Sequence, residues 1–312
     1  MKILLTGASG LVGAAFAEAA SRRGHHVIGI VGRATFPIPG LAEKRSLDLT
    51  DTTALTTLAL ESFPDAIVNC AAVAEPASCD ADPVRSQELN VVLPATLAGL
   101  AHHLSARLVH LSTEQVFAGD RPPYAVGDTP RPLNLYARQK LESERRVHAA
   151  APDFAVTLRA PLLTGNSTGG ARSLHERLLA DWAAGKSPRL YHDEIRQPCT
   201  AGNLAEVMLE LCERRDFHGV LHWAGAEPLS RVELAKRIRA HFKIPAASAP
   251  IIEVRRADDP PAATARRPAD LTLDLKPLAG TLKTPLETFA AQLDQFVLPP
   301  PVRAWYFGLP AA

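Results

Sequence analysis

The chain is poor in cysteine, almost without net charge and free of long apolar runs, and each shortage removes a class of protein. Its four cysteines, Cys70, Cys79, Cys199 and Cys212, form no Cys-x-x-Cys pair and have no histidine at zinc-ligand spacing. They read as reduced thiols of a cytoplasmic protein, Cys70 as a small apolar side chain at a strand end. Lys and Arg number 34 against 33 Asp and Glu, a net charge of +1, so no field draws nucleic acid or an anionic membrane. No run approaches the roughly 20 apolar residues that a bilayer-spanning helix needs. No charged and apolar leader precedes the first strand signal, which starts at residue 2. Internal repeats are absent too.

What is present begins at once. Gly7, Gly10 and Gly13 follow the apolar run Ile3-Leu4-Leu5 and precede a helical pattern over Leu11–Arg23. A buried strand, a glycine turn and a helix start form the geometry that holds a dinucleotide pyrophosphate. Gly7 permits the tight turn, Gly10 lets backbone approach the phosphates, and Gly13 lets the helix pack on the sheet. The free N–H groups and positive end of that helix face the anion.

Short apolar runs then alternate with helical patterns. Strands are predicted at Lys2–Leu5, Val27–Val31, near Arg45–Leu47, and at Ala66–Asn69, Arg107–Ser112 and Ala155–Arg159. Helices are predicted at Thr53–Glu61, Val84–Leu104 and Leu135–Ala149. The strands are unbroken rather than alternating, as when helices cover both faces of a parallel sheet. The fold class is therefore α/β, a doubly wound parallel sheet. After Gly165 the texture becomes loop-rich. A helix is predicted over Ala171–Gly185, another entered at Asn203 and ending near Arg214, then a strand over Phe217–Trp223. Ser230 and Glu233 form a capping box for a helix to Phe242. Ile251–Val254 is a last strand candidate, and Leu298–Val302 reads as a proline-rich tail crossing a surface. The division expected is residues 1–165 as a dinucleotide-binding domain that also receives parts of 190–225, and 166–312 as a smaller lobe.

Tyr136 and Lys140 stand four positions apart and share a helix face. A lysine ammonium beside a phenol is expected to lower the tyrosine pKa from its ordinary value near 10 and so ready it for proton transfer. The preceding strand ends in Ser112-Thr113, and ligands of such sheets bind beyond the carboxyl ends of strands. Hydroxyl, phenol and ammonium thus converge on one crevice. His25-His26 and His102-His103 read as helix caps or solvated faces, Trp223 as core. His192-Asp193-Glu194 lacks the second cluster a metal site needs, so no metal is expected.

With these motifs the chain resembles the extended short-chain dehydrogenase/reductase superfamily. Within it the chain is similar to the dTDP-4-dehydrorhamnose reductase group, which includes the methionine adenosyltransferase regulatory beta subunit. The resemblance rests on the glycine motif, Asn69-Cys70-Ala71-Ala72, Ser112 to Phe117, Pro132 to Tyr136 with Lys140, Leu158 to Pro161, Leu221 to Gly225, and Arg267-Pro268 before Leu273-Asp274. It implies a Rossmann-type sheet with a C-terminal substrate lobe. It implies that Thr113 bonds the substrate carbonyl, with Ser112 as understudy, that Tyr136 delivers a proton, and that Lys140 tunes it and holds the nicotinamide ribose. For the cofactor it implies Gly7, Ser9, Gly10, Leu11, Val12, Gly13, Cys70, Ala71, Ala72, Asn90, Ser112 and Arg159. Asp48, with Leu49, would accept from the adenine amine.

The second strand ends in Arg33 and no acid, and guanidinium pairs with a 2′-phosphate that carboxylate repels. NADP(H) is expected over NAD(H). Glu114, Gln115, Leu162, Arg196 and Arg267 are the expected substrate residues, with Arg266 able to substitute for Arg267. Gln115 stands where rhamnose-pathway relatives carry an aromatic hydroxyl, and Leu162 where reductases place a tryptophan. Both departures weigh against dTDP-4-dehydrorhamnose itself and leave the hydride chemistry in place. The expected function is NADP(H)-dependent reduction of a nucleotide-activated 4-keto-sugar, a small-molecule partner, by a chain for which the resemblance allows a homodimer. The rival is a non-catalytic, NADP-binding regulatory subunit like the beta-subunit branch.

Overall fold

A computed structural model describes residues 1–276 and 278–309. Seven strands form the central sheet: β1 (Lys2–Thr6), β2 (His26–Val31), β3 (Glu43–Ser46), β4 (Ala66–Asn69), β5 (Arg107–Thr113), β6 (Ala155–Ala160) and β7 (Gly219–His222). Their order is β7-β6-β5-β4-β1-β2-β3, every neighbour parallel. The order reverses beside β1, where open α/β sheets leave a crevice for ligands. Ile3, Leu5, Val68, Val109 and Val156 pack on one face against α1 (Leu11–Arg22) and α6 (Ala201–Glu213). Leu4, Ile28, Ile67 and Leu108 pack on the other, against α2 (Thr52–Ser62), α3 (Leu93–Leu104) and the Val147 side of α4 (Leu135–Ala150). Consecutive residues of the inner strands are thus apolar because both faces are covered, whereas the edge strand β3, Glu-Lys-Arg-Ser, is largely exposed.

The helix expected over Val84–Leu104 is interrupted. Pro83–Gln87 and α3 flank Glu88–Val92, a wide π turn. Pro94 lies in the next turn and has no N–H to give, so the regular ladder cannot pass through it.

The lobe is built on α5 (Leu174–Ala183) and α7 (Arg231–His241). Its core holds Leu178, Leu179, Trp182, Leu234, Ile238, Phe289 and Phe296. The helix predicted from Ala171 begins only at Leu174, because the Ser173–Glu176 capping box fixes its entry there. Thr200, not Asn203, caps α6, accepting from the Asn203 N–H at 3.0 Å. Asn203 instead uses its side-chain oxygen to take the Trp223 indole N–H at 2.7 Å, and that indole is fully buried. The segment Leu298–Val302 does not merely cross a surface: Val302 is 2% exposed within the lobe core. Three proline rings restrict this segment at Pro299, Pro300 and Pro301, which lowers the entropy cost of docking it.

Candidate active site

The glycine turn has the shape its spacing predicts. Gly7 has φ of +69°, and a Cβ there would come within 2.7 Å of the Ala71 nitrogen. A Cβ on Gly13 would lie 2.2 Å from the Gly7 carbonyl oxygen, so only glycine lets α1 sit this close to β1. Gly10 closes the turn by donating to the Gly7 carbonyl at 2.9 Å, and no side chain caps α1. With no acid in its first turn either, that helix end presents free donors and a positive dipole to an anion. These features fit a dinucleotide pyrophosphate.

From this turn a crevice of about 960 Å³ runs to the lobe. Gly10, Leu11, Val12, Gly13, Cys70, Ala71 and Ala72 line one end; Ser112, Thr113, Glu114, Gln115, Tyr136 and Lys140 line the middle; Leu162, Arg196, Arg231, Arg266 and Arg267 line the far end. Not all the expected residues border it. Gly7 and Ser9 belong to the turn behind the lining. Asn90 is fully buried and braces the wall, clasping Val73 through its N–H at 2.9 Å and its carbonyl at 3.1 Å. Arg159 is turned away into a buried pair with Glu144 at 2.7 Å. Arg33 stands exposed at the end of β2 without a partner among the described residues. Asp48 is taken by Arg85 at 2.9 Å, and Leu49 packs on the sheet core. Arg85 had no signal in the sequence reading.

Tyr136 and Lys140 both lie buried on α4, whose entry is fixed by Asn134 accepting from the Ala137 N–H at 2.9 Å. Their relation differs from the one expected. Lys140 Nζ turns inward, donating to the Leu111 carbonyl at 2.6 Å and lying 3.4 Å from His110 Nε2. The Thr113 side chain lies near the Tyr136 phenol. Burial therefore dominates the phenol and raises its pKa, with the Thr113 hydroxyl partly opposing. Burial also draws the Lys140 ammonium down to about 8, against the nearby Glu144 carboxylate. Beneath them His110 is held neutral by burial and linked to Asn69 and Ser143. Ser112 donates to Glu144 at 2.5 Å, so of the two strand-end hydroxyls it is Thr113 that faces the phenol. The Cys70 thiol is pushed up to about 12 by burial and acts as neutral wall.

The far end is an arginine cluster around one carboxylate. Glu194 is fully buried and accepts two bonds from Arg267, at 2.6 and 3.0 Å. Arg231 and Arg256 each approach it to 3.7 Å. Despite its burial Glu194 is held below the usual carboxylate range by Arg267 first, then Arg196 and Arg231. Arg196 is anchored on the Ile195, Pro268 and Ala269 carbonyls, with Nε 3.5 Å from Glu114. In sequence Glu194 stands in a His-Asp-Glu run without a second cluster, and no motif marks Arg231. Two further ion pairs bridge the two sides of the crevice, Arg177–Glu75 at 2.8 Å and Arg266–Asp80 at 2.9 Å.

Among the described residues no helix is long and apolar enough to cross a membrane, and no group of three or more metal-capable side chains occurs.

The sequence pattern of the RmlD substrate binding domain matches residues 1–299. Methionine adenosyltransferase 2 subunit beta of Mus musculus is 31% identical over 92% of this chain and 85% of its own length. A dTDP-4-dehydrorhamnose reductase of Mycolicibacterium smegmatis is 30% identical over 95% of this chain and 85% of its own. Among solved structures, a hypothetical dTDP-4-dehydrorhamnose reductase from Sulfolobus tokodaii superposes with a TM-score of 0.81 at 30% identity, covering 96% of this chain and 100% of that one. A Bacillus anthracis dTDP-4-dehydrorhamnose reductase, solved in complex with NADP, shares the fold with a TM-score of 0.79 at 19% identity, over 95% and 96% of the two chains.

Proposed function

Since the chain belongs to the RmlD substrate-binding-domain family, we propose that it is an oxidoreductase that reduces a nucleotide-activated 4-keto-sugar with NADP(H). The observation that carries this reading is the meeting of Thr113, Tyr136 and Lys140 at the carboxyl end of β5, in the same crevice as the glycine turn. A bound reduced nicotinamide supplies the hydride to the ketone carbon. Thr113 and Tyr136 hold the ketone oxygen, and Tyr136 gives its proton to the alkoxide that forms there. Burial keeps that proton on the phenol until the oxygen becomes basic enough to take it. Lys140 then stands behind the phenol as a cation that partly titrates near pH 8. Holding both reactants in one crevice supplies a large share of the acceleration. Arg33, exposed and without a partner among the described residues, supports NADP(H) over NAD(H), since its guanidinium can pair with a 2′-phosphate. Four free thiols support a reducing, cytoplasmic setting.

The test mixes protein and NADPH with dTDP-, UDP- and GDP-4-keto-sugars and follows the nicotinamide absorbance. Turnover is expected, and Tyr136→Phe lowers kcat by about 10²–10⁴ with NADPH affinity kept. A second reading, an NADP-binding regulatory subunit, is favoured by the 31% identity to the mouse beta subunit. Tight NADPH binding without turnover of any sugar, together with recovery of a synthetase in pull-down, selects it instead.

A further inference from the structure

His110, in the middle of β5, is fully buried and takes no part in the proton transfer proposed above. Its surroundings permit a single arrangement of protons. Asn69, the last residue of β4, accepts two bonds at its side-chain oxygen. One comes from the Thr6 hydroxyl at 2.6 Å, just before the glycine turn, and one from the Ala71 N–H at 3.2 Å, in the crevice wall. A main-chain N–H can only donate, so the oxygen of the amide faces Ala71 and its nitrogen faces His110 Nδ1, at 3.1 Å. Nδ1 is therefore an acceptor, and the ring carries its one proton on Nε2. That proton goes to Ser143 Oγ at 3.0 Å, which in turn donates to the Lys140 carbonyl at 2.7 Å. Every donor meets an acceptor, from the residue before the glycine turn to the helix turn that bears Lys140.

The same proton governs the Lys140 side chain. Nζ lies 3.4 Å from His110 Nε2, but an N–H cannot accept, so this approach is no hydrogen bond. Nζ keeps the Leu111 carbonyl at 2.6 Å and has no other hydrogen-bond partner among the described residues. Lys140 borders the crevice, so its remaining donors are left for a ligand there. With the opposite tautomer, Nε2 would accept from Nζ and hold the ammonium inward.

We propose that His110, with its ring proton on Nε2, is a positioning residue for the cofactor: it ties the Asn69–Ala71 wall to the Lys140 turn and denies Lys140 an inward acceptor, which leaves the ammonium to the bound dinucleotide. The inference rests on the cofactor-binding part of the reading above. His110 itself touches neither cofactor nor sugar, and no proton is transferred through it.

Two variants separate positioning from packing. His110→Gln keeps an N–H that can reach Ser143 but gives up the ring, whereas His110→Phe keeps the ring and gives up both nitrogens. NADPH is titrated into each full-length protein by fluorescence, with thermal melting to confirm that each is folded. His110→Gln is expected to hold NADPH affinity within about threefold of wild type, and His110→Phe to lose about tenfold or more, the worth of a broken buried hydrogen bond. Equal or tighter NADPH binding by His110→Phe than by His110→Gln is the mark of a packing role and overturns the assignment. A second measurement needs no variant: long-range proton–nitrogen NMR of histidine-labelled wild type at pH 7, with the ring assigned through its own backbone. Nε2 protonated and Nδ1 bare is expected; a proton on Nδ1, alone or with Nε2, overturns the proposal. Neither readout uses a sugar. The assignment therefore stands if no 4-keto-sugar is turned over, and it falls on these results even where turnover is found.

Discussion

Replacing Lys140 by methionine should stabilise the empty protein while it ends turnover. Lys140 is 2% exposed, and burial brings its ammonium from 10.5 to about 8. At about 1.36 kcal/mol per pH unit, that gap is roughly 3 kcal/mol of buried-charge cost borne by the folded state at neutral pH. The methionine also forfeits the 2.6 Å bond to the Leu111 carbonyl, a loss of about 1–2 kcal/mol. The balance favours Lys140→Met by about 1–2 kcal/mol at pH 7, a rise in Tm of about 2–3 °C for a chain of this length. The pH dependence has a definite sign. The folded pKa lies below the unfolded one, so between about 8 and 10.5 the folded state binds fewer protons and wild-type stability rises with pH. By pH 9.5 the wild type recovers about 2 kcal/mol, and the advantage of the variant vanishes or reverses. Thermal denaturation followed by circular dichroism, on both proteins without nucleotide at pH 7 and 9.5, reads the difference directly. A variant that melts below wild type at pH 7, or whose advantage is the same at both pH values, refutes the argument.

Two other expectations follow from the cofactor end. Arg33→Ala should lower the ratio of NADP to NAD affinity by about tenfold or more, the loss of a charge-assisted bond of about 1.5–3 kcal/mol, with NAD binding unchanged; equal ratios by fluorescence titration would falsify the 2′-phosphate assignment. Gly13→Ala places a methyl 2.2 Å from the Gly7 oxygen, so the turn must open. It should cost about 1–3 kcal/mol of stability and more than tenfold in NADPH affinity, and affinity within twofold of wild type contradicts the close-packing role.

The inner sheet was readable because its strands are short apolar runs between glycine and polar breaks, and burial on both faces leaves them no other pattern; the exposed edge strand β3, Glu-Lys-Arg-Ser, carries no such run. The glycine turn was readable for a similar reason, since three glycines at two fixed spacings suffice to define it. Side-chain direction was not. Helical spacing puts Tyr136 and Lys140 on one face, but the rotamer that sends Nζ to Leu111 depends on β5, and no local signal reports it. The arginine cluster was hidden by distance along the chain: Glu194 and Arg267 are 73 residues apart and meet only after the lobe folds. Pro94 within a helical pattern did carry information, and it marks the place where the ladder loosens. The proline-rich tail was misread because prolines suggest exposure, whereas here they deliver Val302 to the lobe core.

The last strand of the sheet, Gly219–His222, arrives from beyond the first stretch of the lobe and closes the β6 edge. The far end of the crevice is consequently not a cassette that can be exchanged at one splice point. A chimaera joined once near residue 165 would inherit β7 and Trp223 from the donor, so the donor's sheet edge travels with its far-end lining. Recombination that preserves the host scaffold must enter and leave the gene several times, and gradual substitution within the far-end loops is the simpler route to a differently lined crevice.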